Sequence, residues 1–238
     1  MNLEKDTASG IPLFRLAFRP FFLGAGVYSV LAIIVWMAVT VFDKSFVMDV
    51  WPPAIWHAHE MLFGYGLAVV AGFLLTAIKN WTGVQTIRGA WLFVLVSLWA
   101  ITRLIPLIDT GHAIKLMAVF DVLFMLMFIM AATIPVIKAK QYTQAGIISK
   151  LVLLLVSNLL FYLGALGYIA DGVRWGLYSG LYILIALVLV MARRVIPFFI
   201  EKGTESGVTV RNWQWIDITS LVLLLLLWIL DVFTEYRF

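Results

Sequence analysis

Two histidines, a glutamate and a methionine crowd into WHAHEM, residues 56–61. In a chain without thiols, those side chains cover much of the chemistry of metal binding. Imidazole ligates haem iron and copper, and a thioether beside it suits copper(I). A carboxylate that accepts the second ring N–H of a histidine fixes the orientation of that ring. The chain has only three histidines, His57, His59 and His112, so placing two within three residues is itself a signal. The absence of cysteine excludes disulfides, iron–sulfur clusters, thiolate-bound metal and haem attached through Cys-x-x-Cys-His. No phosphate loop, nucleophile triad or zinc-hydrolase motif is present.

The elements that must position these residues follow from composition. The chain is 63% hydrophobic and 13% charged, with a mean hydropathy of +1.03. That leaves too little polar surface to cover a water-soluble domain, so the excess apolar surface faces lipid. The apolar residues form continuous blocks rather than short alternating segments, which predicts an all-α polytopic transmembrane bundle and not a barrel. Seven blocks reach the roughly 20 residues a bilayer requires, near 21–42, 57–78, 90–108, 113–137, 147–170, 175–192 and 216–233. Loops are short except 193–215, and without internal repeats residues 1–238 read as a single transmembrane helical domain. The first block reads as a retained span, since no short apolar core with a small-residue cleavage site precedes it.

Lysine and arginine predict the orientation. One side collects Lys5, Arg15, Arg19, Lys79, Arg88, Lys138, Lys140, Lys150, Arg193, Arg194, Lys202 and Arg211; the other has Lys44, Arg103, Lys115, Arg174 and Arg237. Twelve against five places the N-terminus in the cytoplasm. His57 and His59 then open the second span, and His112 precedes the fourth, all at the outer end. The net charge of +4 is accounted for by topology and gives no reason to invoke nucleic acid.

On a helical wheel at about 100° per residue, His57, Glu60, Met61, Gly64, Ala68, Ala71 and Gly72 share one face. His59 points nearly opposite, with Phe63, Gly66, Val70 and Phe73. One metal could take both histidines only if the helix began after His59, with an extended approach favoured by Pro52 and Pro53. The small residues at 64, 68 and 72 suit close approach of another helix. Alternatively a flat macrocycle lies against that face beneath a ligating His57, with Glu60 or Met61 as near-site groups or a second metal ligand. Interfacial histidines also simply hydrogen-bond headgroups and water, in the manner of other amphipathic side chains.

Arg103 in the third span and Asp121 in the fourth are ionisable groups at membrane depth, where such groups pair or line a polar cavity. They form a structural ion pair, or serve as a propionate-binding arginine and a proton-relay carboxylate. A cofactor-free transporter with an Arg103/Asp121 pathway, or a structural membrane subunit, are the competing readings. Asn158 suits an interhelical hydrogen bond. Arg15 with Arg19, and Arg193 with Arg194, read as headgroup anchors, and most of the ten tryptophans as the interfacial aromatic belt. Three histidines at one depth exclude two bis-histidine haems stacked along a bundle.

Three blocks carry a family resemblance: PLFRLAFRPFF (12–22), WHAHEMLFGYGLAVVAGFLLTAIKNWTG (56–83) and MARRVIPFF (191–199). In order and spacing they resemble the signature blocks of the NnrS family. The resemblance implies a bacterial inner-membrane protein containing haem b and copper, linked to nitric oxide, nitrosative stress and denitrification. His57 and His59 are its natural ligand candidates, with His112 and Met61 as further metal-binding candidates, Arg103 as a cofactor-binding residue, and Glu60 and Asp121 beside the site. It also implies a longer architecture of about twelve spans, of which this chain is a short member or the N-terminal part. A second copy or another chain would then complete the site. Nothing in the resemblance decides whether the protein is an enzyme.

Overall fold

A computed structural model describes residues 11–42, 51–107, 111–204, 209–210 and 213–233. Lys5, Lys44, Arg211 and Arg237, used in the orientation count, lie outside the described residues. Seven helices are long and apolar enough to cross a membrane. They are α1 (Phe18–Val41), α2 (Pro53–Thr82), α3 (Ala90–Leu104), α4 (Ala113–Lys138), α5 (Ala145–Ala165), α6 (Gly172–Gly203) and α7 (Gln214–Phe233). There is no strand among the described residues. The chain is a multi-pass α-helical membrane protein, as its hydropathy predicts. A bilayer core offers no water to satisfy backbone polar groups, and helices satisfy their own.

Two boundaries differ from the expected ones. The second span begins at Pro53, whose fixed φ and missing N–H suit the first helical position. His57 and His59 are therefore both helical, and the extended approach that could have brought them to one metal is not formed. The sixth span does not stop before Arg193 but runs through Pro197 to Gly203.

The helices group into two compact units, Met1–Gln144 and Ala145–Phe238. In the first, α2 is the interior helix: 61% of its apolar window is buried, against 11% for α1 and 39% for α4. Contacts along its length give the directions of its neighbours. Gly72 meets Phe21 and Phe22 of α1, while near the start of α2 the His57 ring lies on Trp36, so α1 is antiparallel to α2. His59 lies near Asp121 of α4, and at the far end Gln141 Nε2 donates to Trp81 O at 2.7 Å, so α4 runs parallel to α2. The start of α2, the end of α3 and the start of α4 consequently share one end of this unit. At its other end Gly83, at φ +68°, closes α2 through its N–H to Lys79 O, a left-handed cap that glycine adopts without strain.

In the second unit, α5 and α6 form a hairpin with almost no space between their backbones. A Cβ on Gly176 would lie 2.5 Å from Phe161 N and 2.6 Å from Ser157 O. The close helix approach expected at Gly64, Ala68 and Gly72 is met at Gly72, where a Cβ would lie 2.9 Å from Phe21 Cβ of α1, while Gly64 accommodates neighbouring side chains. α7 lies antiparallel on α6, with Arg193–Asp217 toward one end and Trp228 Nε1 donating to Ser179 Oγ at 3.0 Å toward the other.

Candidate functional site

Near the start of α2 the backbone widens into a π-helical segment, Glu60–Gly66. Side chains of α3 reach its carbonyls: Trp99 Nε1 donates to Gly64 O at 2.9 Å and Arg103 Nη1 to Phe63 O at 3.0 Å. Wide turns of this kind are uncommon and occur mostly where a site interrupts an α-helix. Here the α3 donors anchor the segment that carries Glu60.

Arg103 organises the polar interior. Its Nη2 donates to Asp121 Oδ1 at 2.5 Å, and its Nε lies 3.0 Å from Glu60 Oε2. Tyr28 of α1 donates its hydroxyl to the same Glu60 oxygen at 2.5 Å. His59 completes the set: Nδ1 is 3.1 Å from Glu60 Oε1, and Nε2 is 3.8 Å from Asp121 Oδ2. Four helices thus contribute to one network, and His59, Glu60 and Asp121 are each at most 1% exposed. Two carboxylates in hydrocarbon would be prohibitive alone; one guanidinium fixed by three separate contacts makes them tolerable. The ion pair considered for Arg103 and Asp121 is formed.

The wheel expectation for the histidines changes in detail. His59 does not turn away from Glu60 but joins it inside, because α2 is enclosed on several sides and has no single buried face. Its ring lies between Trp51 and Phe63, with centroids at 5.7 and 5.2 Å. His57 points elsewhere, onto Trp36 of α1, with ring centroids 4.3 Å apart and planes inclined by 27°. The ring is half-buried, yet its Nδ1 is enclosed and has no hydrogen-bond partner among the described residues. Met61 is half-buried, and His112 is exposed at the N-cap of α4. The three histidines share an end of the unit without converging. Among the described residues, no three His, Asp or Glu side chains are placed to hold a metal ion together.

The donor set therefore fits a group ligated by a single imidazole better than a metal held by several side chains. His57 supplies an enclosed ring nitrogen, Nδ1, lacking a partner among the described residues, on a ring that stacks on Trp36. His59 has a carboxylate facing each ring nitrogen, and Glu60 orients it as expected of a carboxylate beside an imidazole.

Tyr28 and Trp99 escaped the sequence reading. Tyr28 is a single hydroxyl in an apolar span, and Trp99 resembles any belt tryptophan. Only the antiparallel pairing of α1 and α3 with α2, which sets Tyr28 and Trp99 level with Glu60 and Gly64, could have revealed them. Two expected headgroup anchors also have protein partners: Arg19 Nη1 donates to Pro12 O at 2.9 Å, and Arg193 Nε lies 2.8 Å from Asp217 Oδ2.

Compared with known proteins, the chain matches no curated protein and no solved structure. A family model described as NnrS protein matches residues 12–237, nearly the whole chain. A membrane protein with a polar network centred on Arg103, and two of its three histidines in the central block of the resemblance, thus belongs to the NnrS family.

Proposed function

We propose that this protein binds haem, with copper as a second metal, in the bacterial inner membrane and acts in the response to nitric oxide and nitrosative stress. The observation that carries this reading is His57: an enclosed imidazole nitrogen without a protein partner, stacked on Trp36, in a chain of the NnrS family. His57 would hold the haem iron, and Trp36, stacked on the imidazole, would fix the orientation of that ring. Bound there, haem iron or copper would supply a coordination position for a small diatomic ligand.

The protein's own contribution lies behind that ligand. The Arg103 network fixes α1, α3 and α4 against the start of α2, so His57 rests on a rigid base. His59 belongs to that base and helps hold the α2 segment next to His57. Met61 and His112 would hold copper, with a second copy or chain supplying further donors. With the N-terminus in the cytoplasm, the site lies toward the outer leaflet. Arg103 and Asp121 are bound to each other inside the unit, which favours this reading over a polar transport pathway.

The test is an absorption spectrum with metal analysis on protein purified in mild detergent from haem- and copper-replete cells. A Soret band with near-stoichiometric haem is expected, lost in His57→Ala while the protein remains folded. Full haem content in His57→Ala, or a featureless spectrum from folded wild-type protein, would refute the assignment.

A further inference from the structure

The second unit has a feature that the histidine site does not use. Between Leu189–Arg194 of α6 and the start of α7, a cavity of about 420 Å³ is lined by Arg193, Arg194, Asp217 and Ser220, with Leu189, Val190 and Leu221 as its apolar wall. A second cavity, about 280 Å³, continues along the same helices between Ala186, Leu221, Leu225 and Trp228, reaching Lys150 of α5 and Tyr182 of α6. Leu221 lines both. The two adjoin at Leu221 along the α6–α7 seam, the first cationic and the second almost wholly apolar.

Charge and length identify what fits. The polar end carries two arginines against one aspartate, a balance of +1. Arg193 lies 2.8 Å from Asp217 and keeps 35% of its side chain exposed, so this end is open to a ligand from the membrane surface. From Arg194 to Tyr182 is twelve residues of continuous helix, about 18 Å at ~1.5 Å per residue. That is close to one leaflet of a ~30 Å hydrocarbon core. The Lys/Arg distribution assigns this end to the cytoplasm, where anionic headgroups attract basic side chains.

We infer that the α6–α7 groove is a binding site for an anionic phospholipid, its phosphate held by Arg193 and Arg194 and one acyl chain lying along Ala186, Leu221, Leu225 and Trp228. Arg193 stays fixed by Asp217 and presents a positioned edge; Arg194 supplies the balancing positive charge. The lipid fills a gap between two helices that their own side chains leave open, and so ties α7 to α6. This site is independent of the haem assignment.

Native mass spectrometry of the full-length protein in detergent tests it, with phosphatidylglycerol, phosphatidylcholine of the same acyl composition, and inorganic phosphate as separate probes. Phosphatidylglycerol should bind in preference to phosphatidylcholine, and free phosphate should not displace it. Arg194→Gln should weaken phosphatidylglycerol about fivefold, the effect of one basic residue at an anionic surface. Arg194→Lys should retain the preference, and Ala186→Phe, which fills the apolar arm, should weaken the lipid while far-UV circular dichroism stays unchanged. Equal binding of the two lipids, or binding unaffected by both Arg194→Gln and Ala186→Phe, would overturn the proposal. Displacement by free phosphate would overturn the acyl-chain half, leaving a plain anion site.

Discussion

Arg103 reaches Asp121 at 2.5 Å across the α3–α4 contact while its Nε faces Glu60 at 3.0 Å, so one guanidinium serves two buried carboxylates. Removing it takes the guanidinium from both. Arg103→Gln is expected to cost about 3–5 kcal/mol, the range for an uncompensated buried charge. Arg103→Lys should recover only part, because an ammonium cannot reproduce three directed contacts at once. Denaturant unfolding in a single detergent measures both variants.

Gly64 sits beneath this network with no room for a methyl group. A Cβ there would lie 2.7 Å from Glu60 Oε2 and 3.0 Å from both Arg103 Nη1 and Tyr28 Cε1. These atoms belong to side chains, but to side chains locked by one another, so Gly64→Ala should destabilise by about 1–3 kcal/mol. Gly26 on α1 is the control. Nothing lies within 4 Å of its added Cβ, so Gly26→Ala should be neutral or stabilising by up to about 1 kcal/mol. The opposite order of melting temperatures would refute the packing described.

Tyr28→Phe deletes one donor to Glu60 and leaves the ring in place. A hydrogen bond to a charged group is worth about 1.5–3 kcal/mol, and the loss should appear in unfolding measurements without a change in helical content. If Tyr28→Phe matches wild type, the hydroxyl contributes nothing to holding Glu60.

His59→Ala and His57→Ala should separate stability from cofactor content. The first removes a ring facing two carboxylates and should lower the unfolding midpoint. The second removes a half-buried ring whose Nδ1 has no partner among the described residues; it should leave the midpoint of cofactor-free protein nearly unchanged and abolish the Soret band of protein from haem-replete cells. Equal destabilisation by the two would contradict their different surroundings.

The α5–α6 hairpin offers a test in the second unit. Gly176→Ala places a methyl 2.5 Å from Phe161 N, and backbone cannot rotate away as a side chain can. It should destabilise by about 1–3 kcal/mol or more, with the loss confined to protease protection or hydrogen exchange of residues 145–203.

How much of this was legible beforehand depended on which forces act locally. The seven spans follow from hydropathy, because lipid imposes a length on any apolar block. The Arg103–Asp121 pair was one of the readings that depth suggested, since these two ionisable groups lie about one helical turn apart in neighbouring antiparallel spans. The environment of His59 was not. A wheel assumes one buried face, whereas α2 is enclosed on several, and the π-helical segment changes the register in a way no periodicity within α2 records. It depends on Arg103 and Trp99, about forty residues downstream, reaching the carbonyls of Phe63 and Gly64. The sixth span was drawn too short for a related reason: Pro197 and two arginines resemble a stop, but a proline removes only one backbone bond and the helix continues to Gly203.

The wide turn at Glu60–Gly66 also makes the helix a counting device. A π turn accommodates one residue more than an α turn, so the residues before Glu60 are set about 100° away from where an unbroken α-helix would hold them relative to Leu67 and beyond. Tightening residues 60–66 to ordinary α-helix at the same length would swing His57 away from Trp36, leaving the core face from Leu67 to Ile78 untouched, whereas deleting one residue there would keep His57 in place. The width of a single turn in this segment sets the direction in which a histidine looks.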